Sequence, residues 1–217
     1  MLIRPQAVVF DMDGLLLDSE RLARECFLLA CADIGWTADT AAYDRCVGST
    51  SETTERILRE ACGPDFPYAE MNACWAERYD AHINHHPVAV KPGAHELLDH
   101  LERLDIPRAL ATSTRRSTAL RKLQLAGLTD YFLHMVCGGE TERGKPHPDP
   151  YLEATQRLQR EPGQCWALED SDNGVRAAHA AGLTVFQIPD LISPDGSVRA
   201  LGHRVVESLF DVLILLE

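Results

Sequence analysis

Apolar residues follow two rhythms along this chain. The unbroken run Ala7-Val8-Val9-Phe10 is of a length that suits a strand buried on both faces. From residue 19 to residue 87 the spacing becomes helical, with one stripe at Leu22, Cys26, Leu29 and Ala30 and another at Ile57, Leu58 and Ala61. Gly35, Gly48, Gly63-Pro64 and Pro67 punctuate this stretch into about four helices. After Pro92-Gly93, strand-like segments at 108–112, 135–137, 165–168, 184–188 and 204–206 alternate with helical segments near 94–104, 116–126, 149–159 and 173–181. Such alternation marks a parallel sheet with helices on both faces. The pattern predicts an α/β fold. Its core, residues 1–15 and 90–217, is a doubly wound parallel sheet, interrupted after the first strand by an all-helical domain, residues 16–89.

Composition narrows the class. With 217 residues, 45% hydrophobic and 25% charged, the chain can bury one substantial core and a smaller second one. A net charge of −12 excludes nucleic acid and anionic membranes as non-specific partners, since both are polyanions. No apolar stretch is long enough to span a bilayer, and the N-terminal segment lacks a secretory pattern, so a cytoplasmic location is expected. The seven cysteines are scattered without a Cys-x-x-Cys pair, which points to reduced thiols rather than zinc ligands or disulfides. His82, His85 and His86 read as the end of a helix stopped by Pro87, and Trp36, Trp75 and Trp166 as packing aromatics.

Chemistry gathers where strands end. Asp11 and Asp13 follow the first apolar run and lead into Gly14. Side chains two apart on a strand share a direction, and ligands of open α/β sheets bind outside the strands' carboxyl ends. The alternative is a pair of turn-forming aspartates. Thr112 and Ser113 end the next strand, with Arg115 and Arg116 where a helix begins, an arrangement suited either to a phosphate or to plain helix capping. Lys145, one of only three lysines against eighteen arginines, lies in a Gly- and Pro-rich loop and offers a compact positive charge. Glu169, Asp170, Asp172 and Asn173 follow the fourth strand. Adjacent carboxylates repel unless a cation sits between them, and Mg2+ suits such oxygen ligands, while Ser171 or Asp172 can cap the next helix. Together these strand ends hold the parts of a phosphoryl-transfer site.

The strings DMDGLLLDSE, LATST, GKPHPD and LEDSDNG, in this order and spacing, resemble the haloacid dehalogenase-like hydrolase superfamily, in its branch with a helical cap after the first strand, which includes β-phosphoglucomutase and sugar-phosphate phosphatases. The resemblance spans essentially the whole chain. It implies a Mg2+-dependent phosphatase acting on a small phosphorylated metabolite, a sugar phosphate or nucleoside monophosphate; a monomer is expected. Asp11 would be the nucleophile and Asp13 the general acid and base. Asp11, Asp170 and the Asp13 backbone carbonyl would bind the metal. Thr112 and the N–H groups of Ser113 and Thr114 would hold phosphate oxygens, Lys145 would neutralise charge, and Glu169 would support Lys145 or a metal-bound water. Arg116 and Asn173 would lie nearby.

In this branch the cap selects substrate, with hinges expected near 16–19 and 88–92 and candidate contacts at Glu20, Arg21, Arg24, Arg45 and the 47–53 loop. Two positions occupied in hexose-phosphate mutases by an arginine and a histidine hold Ser51 and Ala23, which favours a phosphatase over a phosphomutase. A third possibility, an inactive binding module, has no need of both Asp11 and Asp13.

Overall fold

A computed structural model of the chain describes residues 3–47 and 51–216. It contains two compact units, Met1–Asp18 with Ala89–Glu217, and Ser19–Val88.

The first unit is a six-stranded parallel sheet flanked by helices. Strand β1 (Ala7–Phe10) comes first; α1 to α4 belong to the second unit, and the first resumes at α5 (Ala94–Arg103). There follow β2 (Arg108–Ala111), α6 (Arg116–Ala126), β3 (His134–Val136), α7 (Asp149–Arg157), β4 (Cys165–Glu169), α8 (Asp172–Ala180), β5 (Thr184–Gln187), α9 (Gly196–Arg199), β6 (Arg204–Val205) and α10 (Leu209–Ile214). The strand order is β3-β2-β1-β4-β5-β6, as a doubly wound fold requires. Val9 is in register with Ala109 on one side and Ala167 on the other. Chain direction across the sheet reverses between β1 and β4, so their carboxyl ends open onto the crevice where such folds bind ligands.

Every residue of β1, β2 and β4 is buried, and apart from Arg108 at the start of β2 and Glu169 at the end of β4 these residues are apolar. One face of the sheet is built from small side chains, Ala7, Ala109, Ala111 and Ala167, which let α7 and α8 approach closely through Tyr151, Ala154, Val175 and Ala178. On β4, Trp166 packs against Phe186, their centroids 4.7 Å apart. The segments leading out of and back into this unit run side by side: Asp18 N–H donates to the Ala89 carbonyl and Lys91 N–H to that of Leu16, each at 2.8 Å.

The second unit is all helical: α1 (Ser19–Asp33), α2 (Thr40–Asp44), α3 (Ser51–Cys62) and α4 (Tyr68–His85). Its core is aromatic, with Phe27 packed on Tyr43 and Trp75, and Trp36 on Phe66. The buried stripe of α1 is turned relative to the sequence reading. Cys26, Phe27, Ala30 and Cys31 face inward while Leu29 is 51% exposed, because the large Phe27 ring takes the inner position. The segment 47–53, read as a loop, is shorter at its end: Ser51 already begins α3, with Glu52 in the first turn where a negative charge favours the helix N-terminus. Gly48, Ser49 and Thr50 lie outside the described residues.

Candidate active site

Asp11 lies one residue beyond β1, and its backbone N–H donates to the Leu168 carbonyl of β4 at 3.0 Å, which ties the start of the loop to the neighbouring strand. Its carboxylate accepts a hydrogen bond from Lys145 Nζ at 2.6 Å, and the same ammonium donates to Glu169 Oε1 at 2.5 Å. All three side chains are buried, none more than 9% exposed. Lys145 therefore bridges two carboxylates from the ends of β1 and β4, rather than standing solvated in its loop. Two negative charges around one positive leave the cluster short of cationic charge.

Glu169 is saturated. Oε1 accepts from Lys145 and, at 2.7 Å, from the buried Tyr151 hydroxyl; Oε2 accepts from the backbone N–H groups of Asp170 and Ser171 and from Ser171 Oγ. These contacts fix the carboxylate against which Lys145 is held. Oxygens of Asp11, Glu169 and Asp170 lie within 4.8 Å of one another, the one such acidic group among the described residues. Because five donors occupy Glu169, Asp11 and Asp170 are the carboxylates suited to a cation, and hard oxygen donors beside uncompensated negative charge fit Mg2+. The histidines near 82–86 form no such group among the described residues.

Two glycines shape this centre. Gly14 adopts φ +84°, and a Cβ there would collide with the Asp170 carboxylate. Gly174, in the first turn of α8, has ordinary helical geometry, yet a Cβ would collide with the Glu169 carboxylate. Ser171 caps α8, its Oγ accepting from Gly174 N–H at 3.1 Å. Asp172 is turned away, accepting from Gln187 Nε2 and from Asp195 N–H, and Asn173 is exposed.

Burial pushes the Asp11 carboxyl up to about 7, with Lys145 opposing the shift and Glu169 and Asp13 adding to it. Burial works against the Lys145 ammonium, but Asp11 and Glu169 outweigh it and push its proton affinity up. Tyr151 is raised by burial and by Glu169, so its hydroxyl stays protonated and serves as a donor.

Asp13 has different company. Its Oδ1 accepts from Lys122 Nζ at 2.7 Å and its Oδ2 from Thr114 Oγ1 at 2.6 Å. Thr112, just beyond β2, is buried and accepts the Thr114 N–H at 3.1 Å, while Ser113 is exposed. Thr114 thus donates through its hydroxyl to Asp13 and through its N–H to Thr112, rather than leaving that N–H for a phosphate oxygen. Arg116, expected near the site, has partners of its own. Its guanidinium is held by both oxygens of Glu140, at 2.5 and 2.8 Å, and by the Met135 carbonyl at 2.7 Å.

Sequence reasoning missed Lys122 and Tyr151. Lys122 carried a signal in the rarity of lysine; Tyr151 carried none, since it reads as an apolar helix position.

Glu20 belongs to the helical unit, where with Ala23, Tyr43, Ser51, Asn72 and Trp75 it lines a cleft of about 280 Å³. Arg24 pairs with Asp44 at 3.4 Å, and Arg45 closes α2. No described helix is long and apolar enough to cross a membrane.

Comparison with known proteins agrees with this architecture. Residues 8–188 match the family model described as haloacid dehalogenase-like hydrolase. A Drosophila melanogaster protein named "Probable pseudouridine-5'-phosphatase" is 35% identical over 216 residues, covering 94% of this chain and 89% of its own. A Thermotoga maritima "Phosphorylated carbohydrates phosphatase" is 32% identical over 185 residues, covering 82% of each. The crystal structure of a Deinococcus radiodurans HAD family hydrolase with bound phosphate and sodium superposes with a TM-score of 0.83 at 30% identity, covering 98% of this chain and 95% of that one. With the family model spanning the sheet from β1 to the end of β5, the chain belongs to the haloacid dehalogenase-like hydrolases.

Proposed function

We propose that the protein is a Mg2+-dependent phosphatase that hydrolyses a small phosphorylated metabolite through an aspartyl-phosphate on Asp11. The observation that carries this reading is the division of labour between two carboxylates two residues apart. Asp11 is buried against Lys145 among further carboxylates, whereas Asp13 is held separately by Lys122 and Thr114. The two carboxylates thus have separate partners, Lys145 for Asp11 and Lys122 with Thr114 for Asp13, so each can take its own role at the phosphorus.

In the first half-reaction an Asp11 oxygen attacks phosphorus while the phosphorus–ester oxygen bond breaks, and Asp13 transfers its proton to the departing alkoxide. In the second, Asp13 takes a proton from water as that water attacks phosphorus. This frees inorganic phosphate and regenerates the Asp11 carboxylate. Lys145, held by Glu169, keeps positive charge beside the nucleophile and the non-bridging oxygens; Thr112 and Ser113 lie at the mouth of β2, where those oxygens would come. Asp11, Asp170 and the Asp13 carbonyl would hold Mg2+, which when bound screens repulsion between an anionic nucleophile and a phosphate dianion.

The related phosphatases support the activity class, a phosphoric monoester hydrolase. They extend to sugar phosphates and nucleoside monophosphates as candidate substrates. The helical unit's cleft favours hydrolysis over mutase chemistry. Its lining among the described residues carries Glu20 and no Lys, Arg or His, a poor setting for a second phosphate dianion. The test is phosphate release from a panel of phosphorylated sugars and nucleosides with Mg2+ or EDTA, using Asp11→Asn as control. Metal-dependent release that is lost in the variant supports the reading; release that persists in EDTA or in the variant contradicts it.

A further inference from the structure

All three lysines of the chain, Lys91, Lys122 and Lys145, are ion-paired with aspartates in the sheet-bearing unit, and the numerous other cationic side chains are arginines. Lys145 holds Asp11, and Lys91 pairs with Asp190 at 2.6 Å. Lys122 stands out because it lies on the buried face of α6, between Ala119 and Leu123, with its side chain 4% exposed. Lysine is almost never fully buried without a partner, since removing an ammonium from water is costly. Its partner is Asp13, at 2.7 Å.

Asp13 is held from both sides by one stretch of chain. Thr114, at the mouth of β2, donates to Oδ2, and Lys122, two turns into α6, donates to Oδ1. The carboxylate's torsion is thereby fixed relative to the strand that places Asp11. General acid–base catalysis requires the acid to reach the proton acceptor in a narrow geometry. We propose that Lys122 is a positioning residue of the phosphatase: it fixes the Asp13 carboxyl group for proton transfer to the leaving oxygen and from the hydrolytic water. This rests on the phosphatase reading above.

A positioning role can be separated from a structural one by the leaving group. An alkyl phosphate releases a strongly basic alkoxide, which needs the Asp13 proton as the ester bond breaks. 4-Nitrophenyl phosphate releases a weakly basic phenolate and does not. The experiment measures single turnovers with enzyme in excess, following alcohol or 4-nitrophenol release, in wild type, Lys122→Met, Lys122→Arg and Thr114→Val. Loss of general acid–base help is worth about 10²- to 10⁴-fold. Lys122→Met leaves Asp13 in place and should therefore lose alkyl phosphate turnover by about 10- to 10²-fold, while 4-nitrophenol release stays within about threefold of wild type. Steady-state turnover of both substrates falls, because hydrolysis of the phosphoenzyme also uses Asp13. Thr114→Val should show the same selectivity, and Lys122→Arg should restore part of the alkyl rate.

Equal loss on both substrates, or loss on neither, overturns the inference. If Lys122→Met does not fold, Lys122→Arg and Thr114→Val decide by the same ratio. A wild type that turns over neither substrate, or turns both over as well in Asp11→Asn, refutes the phosphatase reading itself. An active wild type with unselective Lys122 and Thr114 variants refutes only the role of Lys122.

Discussion

Asp11→Asn should make the metal-free protein more stable while it abolishes turnover. Folded, the Asp11 carboxyl keeps its proton to about pH 7, against 3.8 for an ordinary aspartate, because it is buried beside Glu169 and Asp13 with Lys145 only partly compensating. Between those two pH values the folded state binds more protons than the unfolded state, so stability falls as pH rises and the loss is complete above about 7. A shift of about three units corresponds to ~4 kcal/mol at ~1.4 kcal/mol per unit. Asparagine keeps the volume and an oxygen for Lys145 but does not titrate; its hydrogen bond to the ammonium is weaker than a carboxylate's by about 1 kcal/mol. The variant should then exceed wild type by about 2–4 kcal/mol at pH 8. For a chain of this size that is roughly 5–15 °C in Tm. The advantage should shrink toward zero near pH 4.

Thermal unfolding of both proteins in EDTA across pH 4–8 measures this difference, and groups common to both cancel. Saturating Mg2+ should raise the wild type more than the variant, since it binds the folded carboxylate. An Asp11→Asn protein no more stable than wild type at pH 8 in EDTA would refute the electrostatic account of the cluster.

Lys145→Met leaves Asp11 and Glu169 buried without their shared cation; phosphate release should drop by at least about 10³-fold, and the protein should lose about 3–5 kcal/mol in denaturant unfolding. Gly174→Ala places a methyl group in the Glu169 carboxylate, so despite better helix propensity it should cost about 1–3 kcal/mol and most of the activity. A stabilised, active Gly174→Ala would contradict that packing. Tyr151→Phe removes one of five donors to Glu169 and should cost about 1–2 kcal/mol with a partial fall in kcat, read by urea unfolding and steady-state kinetics.

How much of this was legible in the chain depended on how each residue's environment is encoded. The sheet was readable because strands buried on both faces are apolar along their length, as in β1 and in β4 up to its last residue. Strand-end chemistry was readable because doubly wound topology brings those ends together: Asp11, Lys145 and the Glu169-Asp170 pair come from segments far apart in sequence. Short elements were not. The four residues of α9 and six of α10 are too few for a helical period to register. The polar Ser51-Glu52-Thr53 string looked like loop yet opens α3, since capping residues and loop residues are the same types.

The partners of Arg116 and Lys122 could not be read from the chain because they are distant in sequence. Arg116 is drawn off by Glu140, 24 positions on, and Lys122 is turned inward by Asp13, 109 positions earlier. A lysine between Ala119 and Leu123 looks like a solvated helix residue until the fold shows which face is buried. Glu169 was open to two roles, and the five donors on its oxygens favour the support of Lys145.

The central claim is a phosphoryl group carried on Asp11, and it can be trapped directly. Enzyme turning over a good substrate would be acid-quenched and treated with borohydride, which reduces an acyl phosphate of aspartate to homoserine, and its peptides analysed by mass spectrometry. The account predicts homoserine at position 11 only, dependent on substrate and Mg2+ and absent from Asp11→Asn. Full turnover with Asp11 unmodified, or modification of another carboxylate, would contradict it.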